Sequence, residues 1–256
     1  MGGLSSVLVL LRSLWEERNT DGSRTYKPPR IHKYATPDSA LQSITDSLPA
    51  NLYASDPNDL PIHDLKGSKY FALTTESNTI SSTPALPSSL QILHTPGHTS
   101  DSIAVYIPSD DALYTADTVL GQGTAIFEDL ALLIASLRKM HDFVEGKGGK
   151  ETKLYPGHGP VVEDGRKIIN TYIQHRLDRE QEIVRVLGSE GGGKDSGGPW
   201  TTWTIVSKIY AAYPQNLWLP AAHSVDLHLK KLEKDGRVKH VEGDGKDAQW
   251  VLIKGQ

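Results

Sequence analysis

Between residues 90 and 188 the chain alternates strand-like and helix-like segments, and its strands run into turns that end on histidine or aspartate. Leu90-Gln-Ile-Leu-His94 alternates like a strand and meets the turn Thr95-Pro-Gly97, followed by His98. Residues 102–107 and 112–115 read as two strands joined by the Pro108–Asp111 turn, the second leading to Asp117. Lys153-Leu-Tyr155 is a short strand ending in Pro156-Gly-His158-Gly159. Between these, Glu128 and Asp129 precede apolar residues at 130, 133, 134, 137 and 140, a helical period with acidic residues at its positive end. Asp164 is placed to cap a long helix whose apolar positions include Ile168, Ile169, Tyr172, Ile173, Ile183 and Leu187. Strands alternating with helices give an α/β class.

In such sheets sites gather at strand ends, because the sheet is rigid and the following loops are free to vary. His98, Asp117 and His158 are therefore candidate metal ligands. Both histidines follow Pro-Gly, which turns the backbone sharply and aims an imidazole into a cleft. Asp117 offers two oxygens, enough to bridge two ions. Taken singly, a surface histidine in a tight turn or an aspartate capping a turn explains each; the three in this order and setting point to metal. The sequence has no cysteine, so thiolate sites, disulfides and thiol catalysis are excluded. Histidine with carboxylate is the ligand set of hydrolytic zinc, iron or manganese sites.

Residues 1 to about 90 are rich in loop signals, at Lys27–Arg30, Asp56–Asp59 and Thr74–Ser89. Two short runs, 30–34 and 60–65, have strand character. The apolar run from Leu4 to Leu11 lacks a basic flank, continues at helical period through Arg12, and is far too short to span a bilayer. It reads as an amphipathic helix that needs a surface to lie on. Residues 188–200 are a glycine-rich linker. Beyond it, helices over about 201–213 and 221–234 precede a hairpin of 237–241 and 249–253, the pattern of a winged helix. The expected domains are thus 1–187, a linker at 188–200, and 201–256. A net charge of −4 argues against a chain coated for nucleic acid. Lys230, Lys231, Lys234, Arg237 and Lys239 form a local basic edge, read equally as a phosphate-binding face or a solvated helix side. His94, His141 and His175 sit within periodic elements and read as structural.

The stretches TPGHTSDS, LYTADTVLGQGTAIFEDL, LYPGHGPVVEDG and YIQHRLDREQEIVRVL resemble the metallo-β-lactamase superfamily. They are most similar to its beta-lactamase-like protein 2 group of single-stranded-RNA endonucleases, and to the related polyketide thioesterases. HSVDLHLKKLEKDGRV at 223–238 resembles that group's winged helix. The resemblance covers about residues 90–256 and is weak over 20–89. It implies an αββα sandwich with two Zn2+ ions at its edge. His98 would complete the first metal, His158 the second, and Asp117 would bridge them.

The family's remaining ligands come from His-x-His-x-Asp-His, and this sequence does not contain it: none of its ten histidines lie two residues apart. The motif's aspartate, which helps orient the hydroxide, is absent too, so no catalytic residue is assigned. Met1-Gly-Gly resembles the segment just after that motif. The resemblance thus implies a partial sandwich lacking its first strands, with Leu8, Leu11, Leu14 and Trp15 left exposed, and weak activity for this chain alone. The expected activity is metal-dependent hydrolysis of RNA phosphodiester or acyl-carrier-protein thioester bonds, in the cytoplasm or mitochondrion, with no secretion and no membrane partner. The competing expectation is an inactive protein that binds nucleic acid or a protein partner through the winged helix.

Overall fold

A computed structural model describes residues 3–34, 36, 48–49, 51–55, 62–65, 70–72, 80–81, 89–147, 152–190 and 198–253. The Asp56–Asp59 loop, most of the run from Thr74 to Ser89 and the linker's residues 191–197 lie outside the described residues. Two compact units emerge, one of residues 1–94 and 100–110, the other of residues 95–99 and 111–256.

In the first unit, helix α1 (Gly3–Arg18) buries Leu8 against Leu48 and Leu52, with Leu4, Ile31 and Tyr53 around them. Leu8 is therefore not part of an exposed patch, because Leu48 and Leu52 cover it, and Trp15 is half-buried. Leu11 and Leu14 do remain exposed, together with Val7, Val9 and Leu10. Strands β1 (His32–Lys33) and β2 (His63–Asp64) pair in parallel, setting His32 opposite His63. Strand β3 (Tyr70–Ala72) pairs antiparallel with β4 (Ile80–Ser81) and with β5 (Ser89–His94). In turn β5 pairs antiparallel with β6 (Ile103–Ile107), whose alternation buries Ala104 and Tyr106.

The second unit holds β7 (Ala112–Ala116) parallel to β8 (Lys153–Pro156), with Leu113 opposite Leu154, both fully buried. Helix α2 (Leu130–Glu145) starts where the Asp129 carboxylate accepts the Leu132 amide, and buries Leu130, Leu133, Ile134, Leu137, Met140 and Val144. That is the stripe its sequence period requires. Helix α3 (Gly165–Gly188) is capped by Asp164, which accepts the Lys167 amide. It buries Ile169, Ile183 and Leu187, but also Arg176 and Glu180, polar residues that hydrophobic periodicity does not select.

Arg176 is buried against Ala125 and Phe127 of the preceding loop, and Glu180 against Lys231, because α3 runs on into the winged helix. That domain comprises β9 (Trp200–Thr201), α4 (Thr202–Ile209), α5 (Trp218–Lys234), β10 (Val238–Glu242) and β11 (Gln249–Leu252). Ile183 and Leu187 of α3 share one core with Trp200, Ile205, Val225, Leu229 and Trp250. Burying each such side chain contributes roughly 1.5–3 kcal/mol, so α3 is held to the domain by its whole C-terminal third. The hairpin gains a third strand, β9, in the order β10-β11-β9, which the sequence pattern missed. Helix α4 stops at Ile209, ahead of the expected 213, and α5 begins at Trp218 with Pro220 in its first turn, where no intrahelical donor is needed. Among the described residues no helix is long and apolar enough to cross a membrane.

Candidate metal centre

Asp117 is aimed by strain at the end of β7. Ala116 takes a positive φ of 47°, a conformation that costs an L-residue about 1–2 kcal/mol, and it follows a register shift between Tyr114 and Ala116. The turn is closed by buried Thr115, whose hydroxyl donates to Val119 O at 2.8 Å, and by the Thr118 amide donating to Thr115 O. Across it, the Gly157 amide donates to Ala116 O at 2.7 Å, tying the loop after β7 to the Pro156–Gly159 turn.

His98 is aimed by Gly97. That glycine has φ 134°, and a Cβ there would lie 2.4 Å from the backbone of Leu133 at the start of α2. Its carbonyl accepts the Glu128 and Asp129 amides, and Pro96 O accepts the Ser136 hydroxyl at 2.7 Å. The imidazole Nδ1 lies 2.8 Å from Ile126 O. A carbonyl can only accept, so Nδ1 carries the proton and the Nε2 lone pair is free to bind a cation. On the other side, Gly159 at φ 86° and the Gly121 amide donating to His158 O fix the third loop.

The outcome places Asp117 between the two imidazoles. Its Oδ2 lies 3.8 Å from His98 Nε2, and its Oδ1 lies 3.6 Å from His158 Nε2. Both separations exceed a good hydrogen bond. Two donors each about 2.0–2.2 Å from one ion stand roughly 3.3–3.5 Å apart at tetrahedral angles, within a few tenths of an ångström of both pairs. The donor set thus fits two cation positions, one on each carboxylate oxygen. His98 and Asp117 are partly shielded, while the His158 side chain is 77% exposed and forms the open side.

Other histidines are placed differently. His94 stacks on Tyr34 with ring centroids 3.8 Å apart, and its Nε2 lies 2.9 Å from Ser100 O. His141 meets Asp142 and Glu145 within 4.8 Å, but all three lie on one surface turn of α2, where such pairs are ordinary helix electrostatics. His32, beside His63, has a pKa pushed down to about 4 by burial, then by the charges of His63 and Arg30. Sequence reasoning missed that β1 and β2 bring these two rings together, since their partners lie 31 positions apart in the register. On the winged helix, Lys230 pairs with Asp226, Lys231 with Glu180 and Asp235, and Lys234 with Asp129. For those three lysines the edge is occupied by the chain's own carboxylates.

Comparison with known proteins gives the family of the two domains. Residues 26–164 match the metallo-beta-lactamase superfamily and residues 201–250 match the beta-lactamase associated winged helix domain. A beta-lactamase-like protein 2 homolog of Caenorhabditis elegans is 37% identical over 59% of this chain and 47% of its own length. The Drosophila melanogaster homolog is 34% identical over 72% of this chain and 54% of its own. The lactamase-like protein nscB of Arthroderma gypseum is 34% identical over 64% and 53%. The chain thus spans about half the length of the curated relatives it matches. A beta-lactamase domain protein from Burkholderia ambifaria shares the fold at 18% identity, with a TM-score of 0.54 over 71% of this chain and 54% of that one. With more than half its residues in the family match and the associated domain following, the chain belongs to the metallo-beta-lactamase superfamily, an α/β fold typical of metal-binding hydrolases that here carries a C-terminal winged helix.

Proposed function

We propose that His98, Asp117 and His158 are metal ligands of a hydrolase acting on a phosphodiester of single-stranded RNA or an acyl thioester on a carrier protein. The observation that carries this reading is the carboxylate of Asp117, each of whose oxygens faces a different imidazole. A divalent ion such as Zn2+ on either side supplies Lewis acidity and a water acidic enough to be a nucleophile at neutral pH. The residues themselves do the positioning. Ile126 O locks His98 as the Nδ1–H tautomer and presents Nε2 to the site. Asp117, held by the loops after β7 and β8, contributes negative charge to both positions at once. His158, open to solvent, leaves that side of the site accessible. For this chain taken alone, three donors divided between two positions should hold ions weakly and give slow turnover.

Zinc, manganese and iron(II) titrated into the chain, read by calorimetry, test this directly. Asp117→Asn should weaken binding at both positions, whereas His98→Ala and His158→Ala should each remove one. Cleavage of a single-stranded RNA oligonucleotide and of an acyl-carrier thioester, each with and without chelator, identifies the substrate. Metal binding unchanged by Asp117→Asn would sink the reading. One alternative reading is a non-catalytic binding module built on the winged helix. It would be supported by retention of RNA or a protein partner in the presence of chelator, with no hydrolysis under any metal.

A further inference from the structure

A cavity of about 360 Å³ lies within the second unit, between the 124–127 loop, α3 and the winged helix. Its volume falls in the range of small-molecule sites. Two arginines line it. Arg176 is only 5% exposed, its Cζ lies 4.7 Å over the Phe127 ring, and one terminal nitrogen donates to Ala125 O at 2.8 Å. Its Nε is buried without a hydrogen-bond partner, and among the described residues no carboxylate pairs with it. Arg179 lies 4.7 Å over Tyr210, with one nitrogen on Glu182. His175, also in the lining, has its pKa lowered, first by burial and then by the two arginines, so the positive charge here belongs to the guanidiniums. The lining also includes the apolar residues Ile126, Leu217, Pro220 and Leu227.

A buried cation without a counter-charge is expensive, and the cost falls when an anion occupies the adjoining space. We propose that this cavity binds a small organic oxyanion, a phosphoryl or carboxylate group on an apolar body. Its charged end lies against Arg176 and Arg179 and its body against Ile126, Leu217, Pro220 and Leu227. The site does not depend on metal at Asp117. It is nonetheless connected to that centre, since Ile126 lines the cavity with its neighbours while its carbonyl holds the His98 ring.

The test is calorimetry on the full chain in excess chelator, with phenylphosphonate, benzoate, inorganic phosphate and benzyl alcohol as probes. Amide shifts of Thr124–Phe127 and the His98 ring are followed by NMR. Phenylphosphonate or benzoate should bind at least ten-fold more tightly than inorganic phosphate and than benzyl alcohol, moving both sets of signals. The tighter of the two identifies the headgroup. Arg179→Gln and Leu217→Ser, both at residues less enclosed than Arg176, should each weaken binding about five-fold or more; Arg176→Gln is informative only if it folds. Equal binding of inorganic phosphate would reduce the site to surface charge, and equal binding of benzyl alcohol would reduce it to an apolar hole. Either result, or no binding of any probe at millimolar concentration, overturns the proposal.

Discussion

A Cβ built on Gly157 would stand 2.4 Å from Oδ1 of Asp117, with the backbone of Ala116 at 3.2 Å behind it. The glycine after Pro156 is therefore required by the carboxylate rather than by the turn. Gly157→Ala should push Asp117 aside, and the end of a short side chain yields cheaply. Stability should fall by about 1 kcal/mol, while metal affinity drops roughly 10–100-fold, as when a supporting residue around a metal ligand is lost. Paired thermal melts and metal titrations check this; equal affinity in variant and parent would contradict it.

Gly97 presents the opposite case. Its φ of 134° is strained for any side chain, and the atoms that a Cβ would meet at 2.4 Å are the backbone N and Cα of Leu133. Neither can move without displacing α2. Gly97→Ala should cost about 2–4 kcal/mol of stability, with the His98 signals lost only as the fold is lost. Urea denaturation followed by tryptophan fluorescence and by His98 NMR signals should show coincident transitions.

The difference between these glycines shows what was legible in the sequence. Pro-Gly-His twice, with an aspartate between, located the three candidate ligands, and Asp164 was placed as the cap of α3, because turns and caps are written in adjacent residues. The spacing of α2 likewise announced its buried face. The reason Arg176 and Glu180 are buried was not legible: their partners lie in the 125–127 loop and in α5, and no local period reports a contact across fifty residues. The same holds for β9, a two-residue strand defined by its pairing with β11 rather than by its own pattern. The pairing of the α5 lysines was hidden for a related reason, since their acidic partners come from other elements as well as from α5 itself.

Lys231 joins α5 to α3 through Glu180, at 2.8 Å, with the Glu180 side chain 4% exposed. Removing the lysine leaves a buried carboxylate, which is worse than having no pair at all. Lys231→Met should therefore destabilise the winged helix by about 3 kcal/mol, and adding Glu180→Met should restore much of that loss. A double-mutant cycle in denaturant gives the answer. A second substitution that merely added its own penalty would show that the pair carries little coupling.

His228 lies fully buried on α5, edge-on to Phe127 at 6.1 Å, with neither ring nitrogen hydrogen-bonded. Burial pushes its pKa down to about 3, reinforced by the charges of Arg176, Arg179, Lys231 and His175. The folded protein therefore holds it neutral at pH values where the unfolded chain, titrating near 6.5, is protonated. Stability from this group is complete above about pH 6.5 and falls as the pH drops, until the folded state also takes up the proton near pH 3. Over the interval from 6.5 to 5 the loss amounts to about 2 kcal/mol. His228→Leu removes the titration while keeping the volume apolar, so its unfolding midpoint should depend less on pH between 6.5 and 5 than the parent's. His32, whose pKa is lowered in the same sense, is common to both proteins and cancels in the comparison. Parallel pH profiles for the two would mean that His228 does not govern the acid sensitivity of the winged helix.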